Sequence, residues 1–165
     1  MKFIKHLQQM EVIVMSRKRI DIVKVQLVKE SSVLYEAGTG KRQVNSPSEV
    51  VSTVSDFIGN SDRECFVVLC LNTKNEPTNL SVVAIGALNK AIIHPREVFK
   101  TAILSNAASI ICAHNHPSGD STPSQADIDL THRLYEAGEL IGIKVLDHLV
   151  IGDGEFTSLK EKGYL

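Results

Sequence analysis

A short apolar run that ends in two histidines constrains this chain more than any other stretch. Ser109-Ile110-Ile111-Cys112-Ala113 reads as a buried strand and leads directly into His114-Asn115-His116. Residues i and i+2 of a strand share a face, so both imidazoles can reach one ion. Pro117-Ser118-Gly119-Asp120 then makes a turn, after which Ser124-Gln125-Ala126-Asp127 opens a helix expected to run to about Gly138. Two histidines and one carboxylate leave zinc an open fourth position, the arrangement that binds and acidifies a water.

Ser124-x-x-Asp127 also matches a helix capping box, in which both side chains satisfy orphan backbone donors, and the fragment alone favours that reading. The helix register adds a second role. Leu130, Thr131, Leu134, Gly138 and Ile141 follow Asp127 at helical spacing, which puts Asp127 at the head of the buried stripe. Asp129, His132, Arg133, Glu136 and Glu139 fall on the opposite face, where charge is solvated. A carboxylate on the inward stripe requires a partner, and the two histidines supply one through a metal.

Punctuation sets the coarse architecture. Ile20 to Val28 alternates as a half-buried strand, and Gly38-Thr39-Gly40 ends that region. Ser46 caps a helix with Pro47 in its first turn, Glu49 closing a capping box and Gly59 stopping it. Glu64 to Leu71 and Ser81 to Leu88 read as strands, Pro95 to about Asn106 as a helix, Ile143 to Ile151 as a strand and Phe156 as a short return strand. Alternation of this kind makes an α/β domain with a mixed sheet covered by helices. The predicted division is residues 1–45, a basic extension plus first strand, and 46–165, the metal-binding domain. Charge supports that division. Residues 1–45 hold 9 Lys+Arg against 4 Asp+Glu, leaving 9 against 15 afterwards. Arg17-Lys18-Arg19 is a basic cluster of the kind that touches nucleic acid or sits in solvent.

Three cysteines, an odd number without paired spacing, point to a reducing cytoplasm. No segment reads as a membrane span or a secretory signal, and Met10 and Met15 are alternative starts to Met1. Nothing in the pattern sets an oligomeric state.

His114-x-His116, seven residues, Ser124, two residues and Asp127 together resemble the JAMM (MPN+) metalloprotease motif, and Ala113-His-Asn-His-Pro-Ser-Gly119 resembles the RadC branch of that superfamily. Arg63 to Asn72, Ile93 to Phe99 and Leu146 to Gly152 resemble further RadC blocks in their usual order, covering about Ser46 to Leu165. The resemblance implies a cytidine-deaminase-like JAB/MPN fold, a three-layer sandwich with a mixed central sheet flanked by helices. It also implies one zinc per chain on His114, His116 and Asp127, with Glu64 as general base and Ser124 as donor to the oxyanion. Longer RadC proteins carry an amino-terminal helix-hairpin-helix region, for which the residues ahead of Ser46 leave no room.

Other donors compete less well. Cys112 lies on the His114 face but deeper in the apolar run, where a cysteine acts as a small hydrophobe. His94 precedes Pro95 and fits a helix start, and His148 reads as a structural histidine rather than a partner of the ligands. The functional expectation is a zinc-dependent JAMM hydrolase acting on a peptide or isopeptide bond of a peptide or protein substrate. The alternative is a non-catalytic DNA-repair or protein-interaction module, with weak, sequence-independent nucleic-acid binding through the basic amino-terminal segment. Zinc deamination is disfavoured, because no His-x-Glu with a downstream Pro-Cys-x-x-Cys occurs.

Overall fold

Every side chain of Cys65–Leu71 is buried, as expected of a strand covered on both faces. In the computed structural model, which describes residues 23–32, 43–58, 61–86 and 93–165, this run is β1. Before it lies α1 (Pro47–Ile58); after it come β2 (Pro77–Ile85), α2 (Pro95–Leu104), β3 (Ser109–Asn115), α3 (Gln125–Ile141), β4 (Lys144–Ile151) and β5 (Phe156–Ser158). The strands form one mixed sheet in the order β2-β1-β3-β4-β5. Only β3 and β4 are parallel, joined across the sheet by α3; the other pairs are antiparallel.

Period-two alternation distributes the core to both faces. Val67, Leu69 and Leu71 of β1 and Ile111 and Ala113 of β3 pack under α1, whose Val50, Val54 and Ile58 recur every four residues. Phe66, Val68 and Cys70, with Ile110 and Cys112, pack under Val98, Phe99 and Ala102 of α2 and Leu134 of α3. The result is the expected α/β sandwich of three layers. It also decides where the motif points: His114 continues the Ile110–Cys112 face toward α3, and Asn115 continues the Ile111–Ala113 face toward α1.

A register shift in β4 redirects its side chains. Ile110 pairs with Val145 but Ile111 pairs with Asp147, so Leu146 is skipped. Val145 faces the α2/α3 layer, and one residue of slip restores that face to His148, now opposite Cys112. Asp147 stabilises the bulge. Its carboxylate accepts the His148 N–H at 2.7 Å, the Lys160 N–H at 3.2 Å and the Ser158 hydroxyl at 2.6 Å.

Some boundaries differ from the sequence reading. β2 starts at Pro77 rather than Ser81, because the Asn72 side chain accepts the Lys74 and Glu76 N–H groups and closes a tight turn, with Asn75 at φ 58°. Glu49 reaches back to the Asn45 N–H at 2.8 Å, one residue ahead of the expected Ser46 box. The helix α3 runs on to Ile141, which is exposed rather than part of the buried stripe, and Gly142 ends it at φ 81°. Residues 23–32 carry no regular structure and are exposed, so the strand expected over Ile20–Val28 is not formed in its described part. An alternating segment becomes a strand only when a neighbour takes its hydrogen bonds, and none of the five strands pairs with it. Ile20 to Ile22, Gly38-Thr39-Gly40, Gly59, Arg17-Lys18-Arg19 and the end of the predicted strand at Leu88 lie outside the described residues.

Gly152 allows the loop after His116 to lie against the end of β4, with the Asp153 N–H donating to the Gly119 carbonyl at 2.8 Å. A Cβ on Gly152 would fall on the Gly119 carbonyl oxygen and 2.9 Å from the Ser121 nitrogen. Gly152→Ala is therefore expected to destabilise the fold by about 2 kcal/mol or more. Equilibrium urea unfolding checks this; an unchanged midpoint would mean the loop moves freely.

Candidate metal centre

The strand β3 delivers His114 fully buried, and His116 follows one residue past the strand end, its N–H held by the Ile151 carbonyl at 2.8 Å. Asp127 enters from the first turn of α3, also buried. His114 Nε2 lies 3.1 Å from His116 Nε2 and 3.3 Å from Asp127 Oδ1, and His116 Nε2 lies 3.6 Å from Asp127 Oδ2. A tetrahedral ion with ligands at about 2.0–2.1 Å separates its donor atoms by about 3.3 Å. The three observed separations bracket that value. Among the described residues, these three form the only such group of His, Cys, Asp and Glu able to hold a metal ion.

Proton placement agrees with this. His116 Nδ1 lies 2.7 Å from the Asp120 carbonyl oxygen, which can only accept, so Nδ1 carries a hydrogen and the tautomer this contact selects has Nε2 bare. A bare nitrogen facing His114 and a carboxylate is suited to a cation. Burial pulls the His114 pKa down to about 4, with Asp127 raising it and His116 lowering it. Its neutral form is the one that ligates metal.

Asp127 meets both expectations placed on it. Its Oδ2 accepts the Ser124 N–H at 2.8 Å, while the Ser124 hydroxyl oxygen accepts the Asp127 N–H at 3.2 Å, a complete capping box. Its Oδ1 remains directed at His114. The Ser124 hydroxyl proton is donated to Asp127 Oδ2 at 2.6 Å. The cap and the metal reading of Ser124-x-x-Asp127 are thus compatible.

Glu64 stands just ahead of β1. Successive antiparallel pairs run from Leu71 with Ser109 to Phe66 with His114, and continuing that register brings Glu64 to the end of the sheet that carries His116. Asn115, to which the sequence reading gave no role, fixes the approach. Its Oδ1 accepts the Cys65 N–H at 2.7 Å, and its Nδ2 donates to the Arg63 carbonyl at 3.1 Å and the Ser61 carbonyl at 3.4 Å. The Gly86 N–H donates to the Glu64 carbonyl at 2.8 Å. Asp62, Arg63, Glu64, Gly86 and Pro117, the last of these next to His116 in sequence, line a cleft of about 560 Å³.

The remaining candidates separate cleanly. Cys112 is fully buried, burial pushes its thiol pKa up, away from the thiolate a metal requires, and it does not join the donor group. His94 sits at the N-cap of α2, with its side chain making no capping bond. His148 departs from the structural reading: its Nε2 lies 2.9 Å from His114 Nδ1. The signal for this contact is absent from local sequence, because it depends on the β4 bulge.

Residues 44–164 match the family model of the RadC-like JAB domain. A UPF0758 protein of Geobacillus sp. (strain WCH70) is 54% identical over 126 residues, which is 76% of this chain and 56% of that protein. YsxA, a UPF0758 protein of Bacillus subtilis (strain 168), is 57% identical over 122 residues, 74% of this chain and 53% of its own. The chain therefore spans a little over half the length of the curated relatives it matches.

Elemental analysis should find one divalent ion per chain, lost in His114→Ala, His116→Ala and Asp127→Ala; undiminished metal in all three variants removes the site. The metal-free protein should lose stability as pH falls. Unfolding returns His114 and His148, both held below their ordinary pKa by burial, to water, where they take up protons. Between about 6.5 and about 4 the unfolded chain binds more protons, so stability rises with pH across that window, His114 alone contributing on the order of 3 kcal/mol. Urea midpoints of chelator-treated protein that stay flat from pH 7 to pH 5 would contradict this.

Proposed function

The chain belongs to the RadC-like JAB domain family, and on that premise we propose that it is a zinc-dependent hydrolase of the JAMM type that cleaves peptide or isopeptide bonds. The observation that supports this reading is the triangle of His114 Nε2, His116 Nε2 and the Asp127 carboxylate, together with a cleft lined by a further carboxylate, Glu64, and by Pro117, the residue after His116. Two imidazoles and one carboxylate suit one zinc per chain and leave a position free for chemistry. Zinc held there supplies the electrophile that polarises a carbonyl and acidifies water.

The remaining steps use the chain's own groups. Glu64 is not one of the three donors, so its carboxylate takes a proton from the attacking water and returns it to the leaving amine. The Ser124 hydroxyl donates a hydrogen bond to the developing oxyanion and keeps its proton. That role requires the hydroxyl to turn from Asp127 Oδ2 toward the cleft, while the Asp127 carboxylate keeps the Ser124 N–H and so preserves the helix start. The substrate in this reading is a peptide or protein, and nucleic acid is a weak, electrostatic partner of the basic residues ahead of 46. The three buried free cysteines fit a reducing cytoplasm. Among the described residues, no helix is long and apolar enough to cross a membrane.

Zinc-loaded protein is to be assayed on peptide and isopeptide substrates beside Glu64→Gln. The variant should keep its zinc and lose hydrolysis by about a hundredfold or more, since it removes proton transfer and leaves the ligands intact. A Glu64→Gln protein as active as the parent would overturn the assignment.

A further inference from the structure

Behind the metal centre, the buried polar groups of α3 and β4 form a continuous line. His114 Nδ1 lies 2.9 Å from His148 Nε2, His148 Nδ1 lies 2.6 Å from Thr131 Oγ1, and Thr131 Oγ1 lies 2.6 Å from the backbone carbonyl oxygen of Asp127. All four residues are buried, and no side-chain polar atom among the buried described residues lacks a partner. The line thus begins on one donor of the proposed centre and ends on the main chain of another.

Its direction follows from its last member. The Asp127 carbonyl can only accept, and two oxygens at 2.6 Å without a hydrogen between them would repel, so the Thr131 hydroxyl proton points at Asp127. Thr131 Oγ1 therefore accepts from His148, and His148 carries its hydrogen on Nδ1. The His148 ring is fully buried and, among the described residues, makes no hydrogen bond to a carboxylate, so a second ring hydrogen would create a buried cation without a counter-charge. Its Nε2 is then a bare acceptor. His114 must donate to it from Nδ1, which leaves His114 Nε2 without a hydrogen and facing His116 and Asp127.

We infer that His148 and Thr131 are positioning residues that set the tautomer and ring orientation of His114 for a divalent metal and tie that ring to the first turn of α3, which carries Asp127. Each link is directional, so the chain works only as a whole. An acceptor at His148 raises the basicity of the metal-facing nitrogen, as an outer hydrogen-bond partner does for a ligating imidazole. The β4 bulge is what turns His148 onto this face, and Asp147 holds the bulge through the His148 N–H itself. The inference rests on the proposed metal centre but not on hydrolysis.

The first test is the metal-free wild-type protein at neutral pH. Long-range ¹H–¹⁵N spectra of the imidazoles should show hydrogen on Nδ1 of both His114 and His148; hydrogen on Nε2 of either ring overturns the inference. The second test is zinc affinity. His148→Phe, which keeps ring volume but removes the acceptor, and Thr131→Val, which keeps shape but removes the hydroxyl, should each weaken zinc by about ten- to a hundredfold. Thr131→Ser, which restores the hydroxyl, should return to within about threefold of the parent. Equal affinity in all variants, or Thr131→Ser as weak as Thr131→Val, shows packing rather than hydrogen bonding and overturns it. Zinc-loaded protein that obeys these expectations yet cleaves no substrate would leave the relay standing and remove only the hydrolase reading. Wild-type protein that takes up no zinc would remove both.

Discussion

Two imidazole nitrogens 3.1 Å apart, beside a buried carboxylate, are the constraint around which this end of the molecule is organised. The Asp120 carbonyl places hydrogen on the far nitrogen of His116 and leaves a lone pair facing inward. Such groups converge only if the chain holds them there, since bare donors brought together without a cation repel. The holding elements are a central strand, the first turn of the helix that crosses from it, and the neighbouring parallel strand. The βαβ unit made by β3, α3 and β4 is therefore both the core of the sheet and the scaffold of the site.

The period of two in β3 serves two purposes at once. His114, on the α3 face, becomes a donor, while Asn115, on the opposite face, fastens β3 by three hydrogen bonds to the first residue of β1 and the segment before it. A side chain between the two donor histidines thus locates Glu64 without itself joining the donor group. The motif reads as two spaced histidines, yet its middle residue joins the donor strand to the strand that brings the proposed base. Placing such supports on regular elements keeps the site precise where loops would not.

What could be read in the sequence was what depended on local periodicity. The strand ending in His114, the helix starting after Ser124 and the donor triad each follow from spacing, and the structure brings those donors together. Helices on both faces were expected from the alternation of elements and from the family resemblance. What could not be read depended on long-range register. His148 lies 34 residues from His114 in sequence, and its face is set by one skipped residue in β4, which inverts any prediction made from strict alternation. Thr131 was legible as part of a buried stripe, but the use of its hydroxyl was not. The alternation from Ile20 to Val28 misled in its described part, residues 23–28, for the opposite reason: a pattern compatible with a strand does not supply the neighbour that makes one.

The side-chain length of Asp127 brings these demands together. A capping box favours a Glu or Gln at this position, whose longer chain reaches back easily to the N-cap nitrogen. Here the shorter Asp makes that reach at 2.8 Å with Oδ2 and leaves Oδ1 at 3.3 Å from His114. One more carbon would advance the carboxylate by about 1.5 Å. The space between oxygen and imidazole would then shrink below the separation of about 3.3 Å that two ligands of one tetrahedral ion require. A residue serving only as a cap would gain from the longer chain, whereas one serving both the helix start and a metal is held to the shorter. Asp at position 127 is thus the compromise expected where a helix terminus doubles as one side of a metal centre.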